Sequence, residues 1–280
     1  MGLDGRFKTT ILLALLTALL LFVGDLLAGT TGLGIAFAIA IVMNFGSYYY
    51  SDRIVLRMYR AKEAPKNHPL HSIVSSVAKK AEIPKPKVYI LPSSSPNAFA
   101  TGRSPKHAAV AATDGILKLL TVKELEGVIA HEVAHIKNRD TLIQTIASTI
   151  AGVIGFVAVM ARWSAIFGGL GGDDDGGGIL ELLVLAIITP IIATLLQLAL
   201  SRNREFLADR TGASITGNPE GLASALKKLH QGISSNPMKM GSKETSPLFI
   251  ANPFSFKGIT ELLSTHPSLD KRVKRLDRMS

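Results

Sequence analysis

The 280-residue sequence contains no cysteine and few charged residues, and these two scarcities exclude several classes of protein. Without thiols, the chain is neither a disulfide-stabilised secreted domain nor a zinc-finger or iron–sulfur protein with cysteine ligands. Charged residues make up 19% of the chain, below the soluble norm of about 25%, and the 47% of apolar residues excludes a disordered chain. The charge is one-sided, with 31 Lys and Arg against 21 Asp and Glu. Two classes remain: a nucleic-acid-binding protein with a large core, and a membrane protein with a basic cytoplasmic face.

The apolar residues are concentrated in four uncharged runs of about the length that a membrane-spanning helix needs. These runs are residues 9–24, 26–51, 141–161 and 182–200. We therefore predict about four transmembrane helices, as a hairpin in residues 1–51 and a second pair in residues 141–200. The alternative for the first run is a signal peptide, but no small-x-small cleavage site precedes the second run. The alternative for the last two runs is a pair of buried core helices, although their lack of a polar face favours the membrane.

Basic residues flank these runs on one side of the predicted membrane. They are Arg6 and Lys8 before the first run, Arg53 and Arg57 after the second, Lys137 and Arg139 before the third, and Arg202 and Arg204 after the fourth. The positive-inside rule then predicts a multi-pass protein with both termini in the cytoplasm. Residues 52–140 and 201–280 would form one cytoplasmic domain of ordinary size, which the second helix pair interrupts.

The first cytoplasmic segment has mixed α and β patterns. Residues 69–81 have the apolar spacing of a helix, and residues 87–91, 97–100 and 108–112 have the composition of short strands. Thr121 and Glu124 match a capping box, which predicts a helix from Val122 onward. These patterns predict an α+β domain.

That predicted helix carries the sequence His131-Glu132-Val-Ala-His135. Residues four apart lie on one helical face, so the two imidazoles can bind one zinc ion at about 2.0–2.1 Å each. Zinc lowers the pKa of a bound water to about 7, and Glu132 is placed to take its proton. This is the HExxH pattern of metal-assisted peptide hydrolysis. The alternative is a pair of solvated histidines near a helix end, against which the surrounding apolar residues argue.

A catalytic zinc ion needs a third protein ligand, and Glu205 is the candidate. It follows the fourth apolar run, while His131 and His135 precede the third, so an antiparallel helix pair would bring them together. Asp209, one helical turn after Glu205, would then accept the other ring N–H of a ligand histidine. The alternative for Glu205 is an ion pair with nearby arginines. Asp140 has two open interpretations, as a partner of a ligand histidine or as a polar residue at a helix end.

With these motifs, the sequence resembles the HtpX-type membrane zinc metalloproteases, which are relatives of the CAAX prenyl proteases. The resemblance rests on the N-terminal apolar hairpin and on four motifs: residues 96–102, 131–140, 201–209 and 264–267. It implies an α+β, zincin-like protease domain with one zinc ion per chain, held by His131, His135 and Glu205, and Glu132 as the base. It further implies cleavage of misfolded or damaged membrane proteins at the cytoplasmic face of the bacterial plasma membrane.

Other roles follow from the resemblance with alternatives that stay open. Residues Asn97, Ala98 and Phe99 form either an edge strand that pairs with an extended substrate or an ordinary sheet strand. His266 either donates a hydrogen bond to the developing oxyanion or serves the local structure. Arg202 or Arg204 has the same possible role, and both also fit a position at the membrane flank.

The expected partners are polypeptide substrates, membrane proteins among them, and the lipid bilayer. Nucleic acid is not expected, because the chain lacks a basic patch interleaved with aromatic residues and has no recognisable reader motif. The alternative function is a catalytically silent membrane scaffold with a structural metal. The intact Glu132 argues against it, since a structural site has no use for a base.

Overall fold

The N-terminal apolar segment forms a helical hairpin in the computed structural model, which describes residues 5–147, 202–240, 243–253 and 267–279. Helix α1 (Gly5–Met58) is helical over its whole length. However, the Asn44 Nδ2 atom donates a hydrogen bond to Thr17 Oγ1 at 2.7 Å. A straight helix would separate residues 27 positions apart by about 40 Å. The chain therefore doubles back, and Gly29 marks the turn with a φ of +53°, a conformation that glycine adopts without strain.

The second arm of α1 is the one helix among the described residues that is long and apolar enough to cross a membrane, at Gly29–Met58. Its large apolar side chains are exposed, including Ile35, Phe37, Ile41, Val42 and Phe45. Of the predicted second helix pair, the structure describes only residues 141–147, which are helical. The rest of that pair and His266 lie outside the described residues, so four transmembrane helices stay a prediction.

A four-stranded sheet follows α1. Its strands are β1 (Lys62–Glu63), β2 (Lys87–Leu91), β3 (Ala98–Gly102) and β4 (Ala108–Thr113), in the order β1-β2-β4-β3. Strands β2 and β4 are parallel, and the other two pairs are antiparallel, which leaves β3 at an edge. The fold class of the described residues is thus α+β, as predicted.

The two faces of the β3–β4 pair serve different clusters because side chains alternate along a strand. Phe99 and Ala111 face a cluster with Tyr59, which follows α1. Ala100 and Val110 face the main core, which the helices fill. The small alanine side chains let a helix approach this face of the sheet closely.

Six helices follow α1 in the described residues, besides the segment at residues 141–147. They are α2 (Leu70–Lys80), α3 (Asp114–Leu119), α4 (Val122–Lys137), α5 (Arg202–Thr216), α6 (Pro219–Ser235) and α7 (Leu269–Asp277). Helix α4 lies at the centre of the core, and its predicted capping box is present, with Thr121 and Glu124 bonded reciprocally.

Two glycines let neighbouring helices approach α4 closely. A Cβ atom at Gly212 of α5 would lie 2.8 Å from the backbone nitrogen of His131. A Cβ atom at Gly127 of α4 would lie 2.9 Å from the backbone nitrogen of Leu222 on α6. These separations are shorter than a carbon–nitrogen contact permits, so larger residues would push the helices apart. The close packing of α5 on α4 brings the acidic residues of α5 next to the α4 histidines.

Candidate active site

Three predicted ligand residues converge at the contact between α4 and α5. His131 and His135 lie one turn apart on α4, and Glu205 lies in the first turn of α5. All three side chains are buried, and their ligand atoms lie within 4.8 Å of one another. The two Nε2 atoms are 3.2 Å apart, and the Glu205 oxygens lie 3.4 Å from His135 Nε2 and 3.7 Å from His131 Nε2.

The other nitrogen of each imidazole faces a carboxylate. His131 Nδ1 lies 2.9 Å from Asp209, and His135 Nδ1 lies 3.2 Å from Asp140. A carboxylate only accepts hydrogen bonds, so each Nδ1 carries a hydrogen, and in the neutral imidazole Nε2 is then the nitrogen that can bind a metal. The two Nε2 atoms, 3.2 Å apart beside a carboxylate, therefore form a ligand set suited to a cation.

The separations also fit a tetrahedral metal centre. Four-coordinate zinc with ligands at 2.0–2.2 Å places the ligand atoms about 3.3–3.6 Å from one another. The three observed separations, 3.2, 3.4 and 3.7 Å, bracket this range. Nitrogen and oxygen ligands of this kind, with no sulfur, match the ligand set of catalytic rather than cysteine-based structural sites.

The His131 side of the site is anchored by the C-terminal helix. Arg272 of α7 donates two hydrogen bonds to Asp209, from Nε at 2.8 Å and from Nη2 at 2.7 Å, and a third to the Ile250 carbonyl at 2.8 Å. Burial would raise the pKa of Asp209, but the Arg272 charge and hydrogen bonds outweigh it and lower the pKa to about 2. Burial also lowers the pKa of His131, which favours the neutral imidazole that a metal binds.

The His135 side of the site is anchored by Arg204, whose Nη1 atom lies 2.6 Å from Asp140. Asp140 thus bridges Arg204 and His135, as Asp209 bridges Arg272 and His131. Burial acts to lower the pKa of His135, but the hydrogen bonds with Asp140 and Glu205 outweigh it and raise that pKa above its usual value, so a metal that binds Nε2 displaces a proton. Arg204, considered from the sequence as an oxyanion donor or a membrane-flanking residue, lies in this ion pair.

Glu132 lies beside the cluster and is also buried. Burial, together with the charge of Glu205, raises the pKa of Glu132 to about 8, although the positive charge of His135 opposes this. The backbone N–H of Ala100, on strand β3, donates a hydrogen bond to the Glu132 carboxylate. Glu132 therefore lies between the ligand cluster and the edge strand, inside the site but outside the set of three ligand residues.

The three residues predicted to bind substrate, Asn97, Ala98 and Phe99, are buried in the structure. The Ala98 carbonyl already accepts a hydrogen bond from the Ile250 N–H at 3.1 Å. The Asn97 side chain donates to the carbonyl of residue 251 at 2.8 Å. The Phe99 ring packs against Phe249, with ring centroids 5.2 Å apart. Segment 249–251 thus covers this end of the strand edge, and a substrate role of these three residues stays a prediction.

Arg272 was not found by sequence reasoning. It lies in a helix whose nine residues include six charged ones, and the amphipathic pattern does not show which of these is buried. Its side chain is 4% exposed, so the buried cation in the described site comes from the last described helix, α7.

Comparison with known proteins identifies the class of protein that this site defines. The profile of peptidase family M48 matches residues 64–280. The chain therefore belongs to peptidase family M48, and it is a metalloprotease. The His131, His135 and Glu205 cluster lies within the matched region.

Curated relatives are similar over nearly the whole chain. The chain is 50% identical to a "Protease HtpX homolog" of Syntrophobacter fumaroxidans, with 98% of this chain and 99% of that protein covered. It is 52% identical to the homolog of Pyrococcus furiosus (100% and 98% covered) and 54% identical to that of Aquifex aeolicus (92% and 87% covered). These relatives confirm the predicted resemblance to HtpX-type proteases.

A solved structure has a similar fold. The crystal structure of S. mikatae Ste24p matches with a TM-score of 0.52 and 18% sequence identity. The match covers 94% of this chain and 62% of that one, so this chain spans about three fifths of Ste24p. At this identity the likeness concerns the fold alone.

Proposed function

We propose that the chain is a membrane-inserted zinc endopeptidase that cleaves misfolded or damaged membrane proteins. One observation carries the proposal: the Nε2 atoms of both histidines converge with the Glu205 carboxylate, while their Nδ1 atoms are held by Asp209 and Asp140. His131, His135 and Glu205 would hold a single zinc ion. The two aspartates would fix the tautomer and orientation of the ligand rings.

The catalytic chemistry divides between the metal and the chain. A zinc ion held by His131, His135 and Glu205 would act as a Lewis acid toward a carbonyl oxygen and would make a water molecule more acidic. Glu132 takes a proton from the attacking water at its carboxylate oxygen and later passes it to the leaving amine. Its burial keeps bulk water away from that proton. His266 would donate a hydrogen bond to the oxyanion, and Asn97, Ala98 and Phe99 would hold the substrate strand in place of segment 249–251, which now bonds their edge.

The α1 hairpin supports the proposed membrane insertion, because its second arm exposes many large apolar side chains. A soluble protein rarely exposes so large an apolar patch. We propose that residues 1–51 and 141–200 each form a helix pair in the plasma membrane. Residues 52–140 and 201–280 would be the two parts of the cytoplasmic protease domain, with both chain termini on the same side.

The other candidate, a silent scaffold with a structural metal, differs in what it requires of Glu132. A structural zinc site has four protein ligands and no base. The described cluster has three ligand residues, and Glu132 lies beside them. This arrangement favours the protease.

Replacement of the third ligand tests the proposal. The full chain is purified in detergent, stripped with a chelator and reloaded with zinc; zinc content and casein cleavage are then measured. We expect about one zinc ion per wild-type chain. Loss of a residue that only hydrogen-bonds a ligand lowers zinc affinity by about 10–100-fold, and Glu205→Ala should lower it by more than that. Glu220→Ala, an exposed change on α6, is the matched control. Unchanged zinc affinity in Glu205→Ala would remove this residue from the ligand set.

A further inference from the structure

The second arm of α1 shows where the bilayer surface lies. From Gly29 to Tyr48 the helix spans about 30 Å, the thickness of a hydrocarbon core. Tyr49 and Tyr50 follow with exposed rings, and the Arg53 guanidinium lies 5.4 Å from the Tyr50 ring centroid. Exposed tyrosines at the end of an apolar helix, just before its first basic residue, are typical of the membrane–water interface. The residues Tyr48–Tyr50, which we call the tyrosine belt, therefore mark the cytoplasmic surface.

Strand β3 runs alongside the end of this helix. At one end of the strand, the Arg103 guanidinium lies 5.1 Å from the Tyr49 ring centroid and donates a hydrogen bond to the Tyr49 carbonyl at 3.4 Å. At the other end, the Phe99 and Tyr59 ring centroids are 6.0 Å apart.

These two contacts fix the direction of the strand. Residues 49 and 59 are about 15 Å apart along the helix, and residues 99 and 103 are about 13 Å apart along an extended strand. Because the two lengths agree, β3 lies nearly antiparallel to α1 and points its Gly102 end at the tyrosine belt. A transmembrane helix is tilted by only about 20° from the membrane normal, so the strand also lies close to that normal.

Positions along β3 therefore give the distance of the active site from the bilayer surface. Ala100 donates its backbone N–H to Glu132, and Ala100 lies three residues from Arg103. Three extended residues span about 10 Å. The Glu132 carboxylate thus lies about 10 Å beyond the tyrosine belt on the cytoplasmic side.

We infer that the enzyme cleaves juxtamembrane segments of membrane-anchored polypeptides, beginning at bonds about three extended residues from the bilayer surface. This inference rests on the proposed function and adds a distance to it. A bond nearer the bilayer cannot reach Glu132. A more distant bond reaches it only by looping out, and the effective concentration then falls with about the −3/2 power of the loop length.

A series of anchored substrates measures this distance. Each substrate has one apolar helix, then a Gly/Ser spacer of zero, three, six, 12 or 24 residues, and then a casein-derived segment. Each is reconstituted with the full chain in liposomes. Mass spectrometry locates each cut. We expect no cut closer than about three residues to the bilayer, the highest rate near six, and a rate about eightfold lower at 24 than at six.

The outcomes separate this inference from the proposed function. Suppose that soluble casein is cleaved. Cuts that begin only at 12 residues or more, or equal rates at all spacer lengths, would then contradict the inferred distance of the active site from the bilayer. Cleavage of soluble casein without any cut in the anchored series would overturn it as well. Failure to cleave either substrate contradicts the proposed function itself.

A second measurement determines the height without any activity. Because the chain has no cysteine, a single introduced cysteine can carry one spin label. A label at Lys106, exposed in the turn next to Arg103, should lie at the lipid headgroups by power saturation. A label at Lys118, exposed beyond the far end of β4, should lie more than about 20 Å from them. Equal immersion of the two labels, or deeper immersion at Lys118, would contradict the direction of β3.

Discussion

Two glutamates on helix α4, Glu124 and Glu132, lie just over two turns apart and are both buried. Their environments nevertheless shift their pKa values in opposite directions. Burial would raise the pKa of Glu124, but hydrogen bonds from Lys228, Ser224 and the Thr121 cap lower it to about 2. Burial and the charge of Glu205 raise the pKa of Glu132 to about 8. Burial alone therefore does not decide the role of a carboxylate. Its hydrogen-bond donors and neighbouring charges do.

Asp209 and Asp140 belong with Glu124 in this comparison. Each of the two aspartates is bonded to an arginine, as Glu124 is bonded to Lys228. These three carboxylates are expected to serve structure and positioning. Glu132, which lies beside the ligand cluster and has no arginine or lysine among the described residues bonded to it, is expected to serve the chemistry.

The largest expected effect is the loss of cleavage in Glu132→Gln. A general base contributes about 10²–10⁴-fold to the rate, so kcat on casein should fall by about that factor while zinc content stays the same. Glu124→Gln, the same change on the same helix, is the matched control and should keep its kcat at a temperature where it is folded. Equal losses of kcat in the two variants would remove the distinction between the two glutamates.

The next effect concerns metal affinity. Asp209→Asn and Asp140→Asn should each weaken zinc binding by about 10–100-fold, measured by competition with a chelator, because each removes a partner of a ligand histidine. Asp209→Asn should have the greater effect, since it leaves the charge of the fully buried Arg272 without its closest partner. Asp277→Asn, an exposed change on α7, controls for lost charge. If the two variants bound zinc as tightly as the control, the aspartates would not act on the histidines.

The smallest effect concerns folding stability. Glu124→Gln should lower the free energy of unfolding by about 1–2 kcal/mol at pH 7, because it breaks the capping box and a partly exposed ion pair with Lys228. Chemical denaturation of the cytoplasmic domain in the detergent-solubilised chain, followed by circular dichroism, measures the change.

The same variant has a defined pH dependence. The pKa of Glu124 is about 2 in the folded chain, below its usual value of 4.5. Its stabilising effect is therefore fully present above about pH 4.5 and is lost as the pH falls towards 2. The difference between wild type and Glu124→Gln should shrink over that interval. A difference that stays constant from pH 7 to pH 2.5 would show that the ion pair and cap bonds do not hold the charged form.

Sequence reasoning found the parts of the site that local spacing determines. His131, Glu132 and His135 lie within five residues of one helix, and Glu205 and Asp209 lie one turn apart on another. Helical periodicity alone places His131 and His135 on one face, and Glu205 and Asp209 on one face of the other helix. The prediction that these two helices meet rested on an antiparallel approach of the third and fourth apolar runs, most of which lie outside the described residues.

The parts that depend on long-range packing were not predicted. Arg272 reaches the site from 63 residues beyond Asp209, and no local pattern distinguishes it from its charged neighbours. Strand β3 was located, but its covered edge was not foreseen. Ile250 and Phe249 pack there from a segment that has neither helical nor strand periodicity. The burial of Arg272 and the covering of the β3 edge depend on the assembled fold. The motif at residues 131–135 depends only on its own five residues.

The central claim is that zinc is held by one turn of α4 and the first turn of α5. Diffraction from crystals of the zinc-loaded full chain, measured on both sides of the zinc absorption edge, tests it most directly. We expect one anomalous peak about 2.0–2.2 Å from His131 Nε2, His135 Nε2 and a Glu205 oxygen. A peak bound elsewhere, or no peak in a sample that contains zinc and cleaves casein, would contradict it.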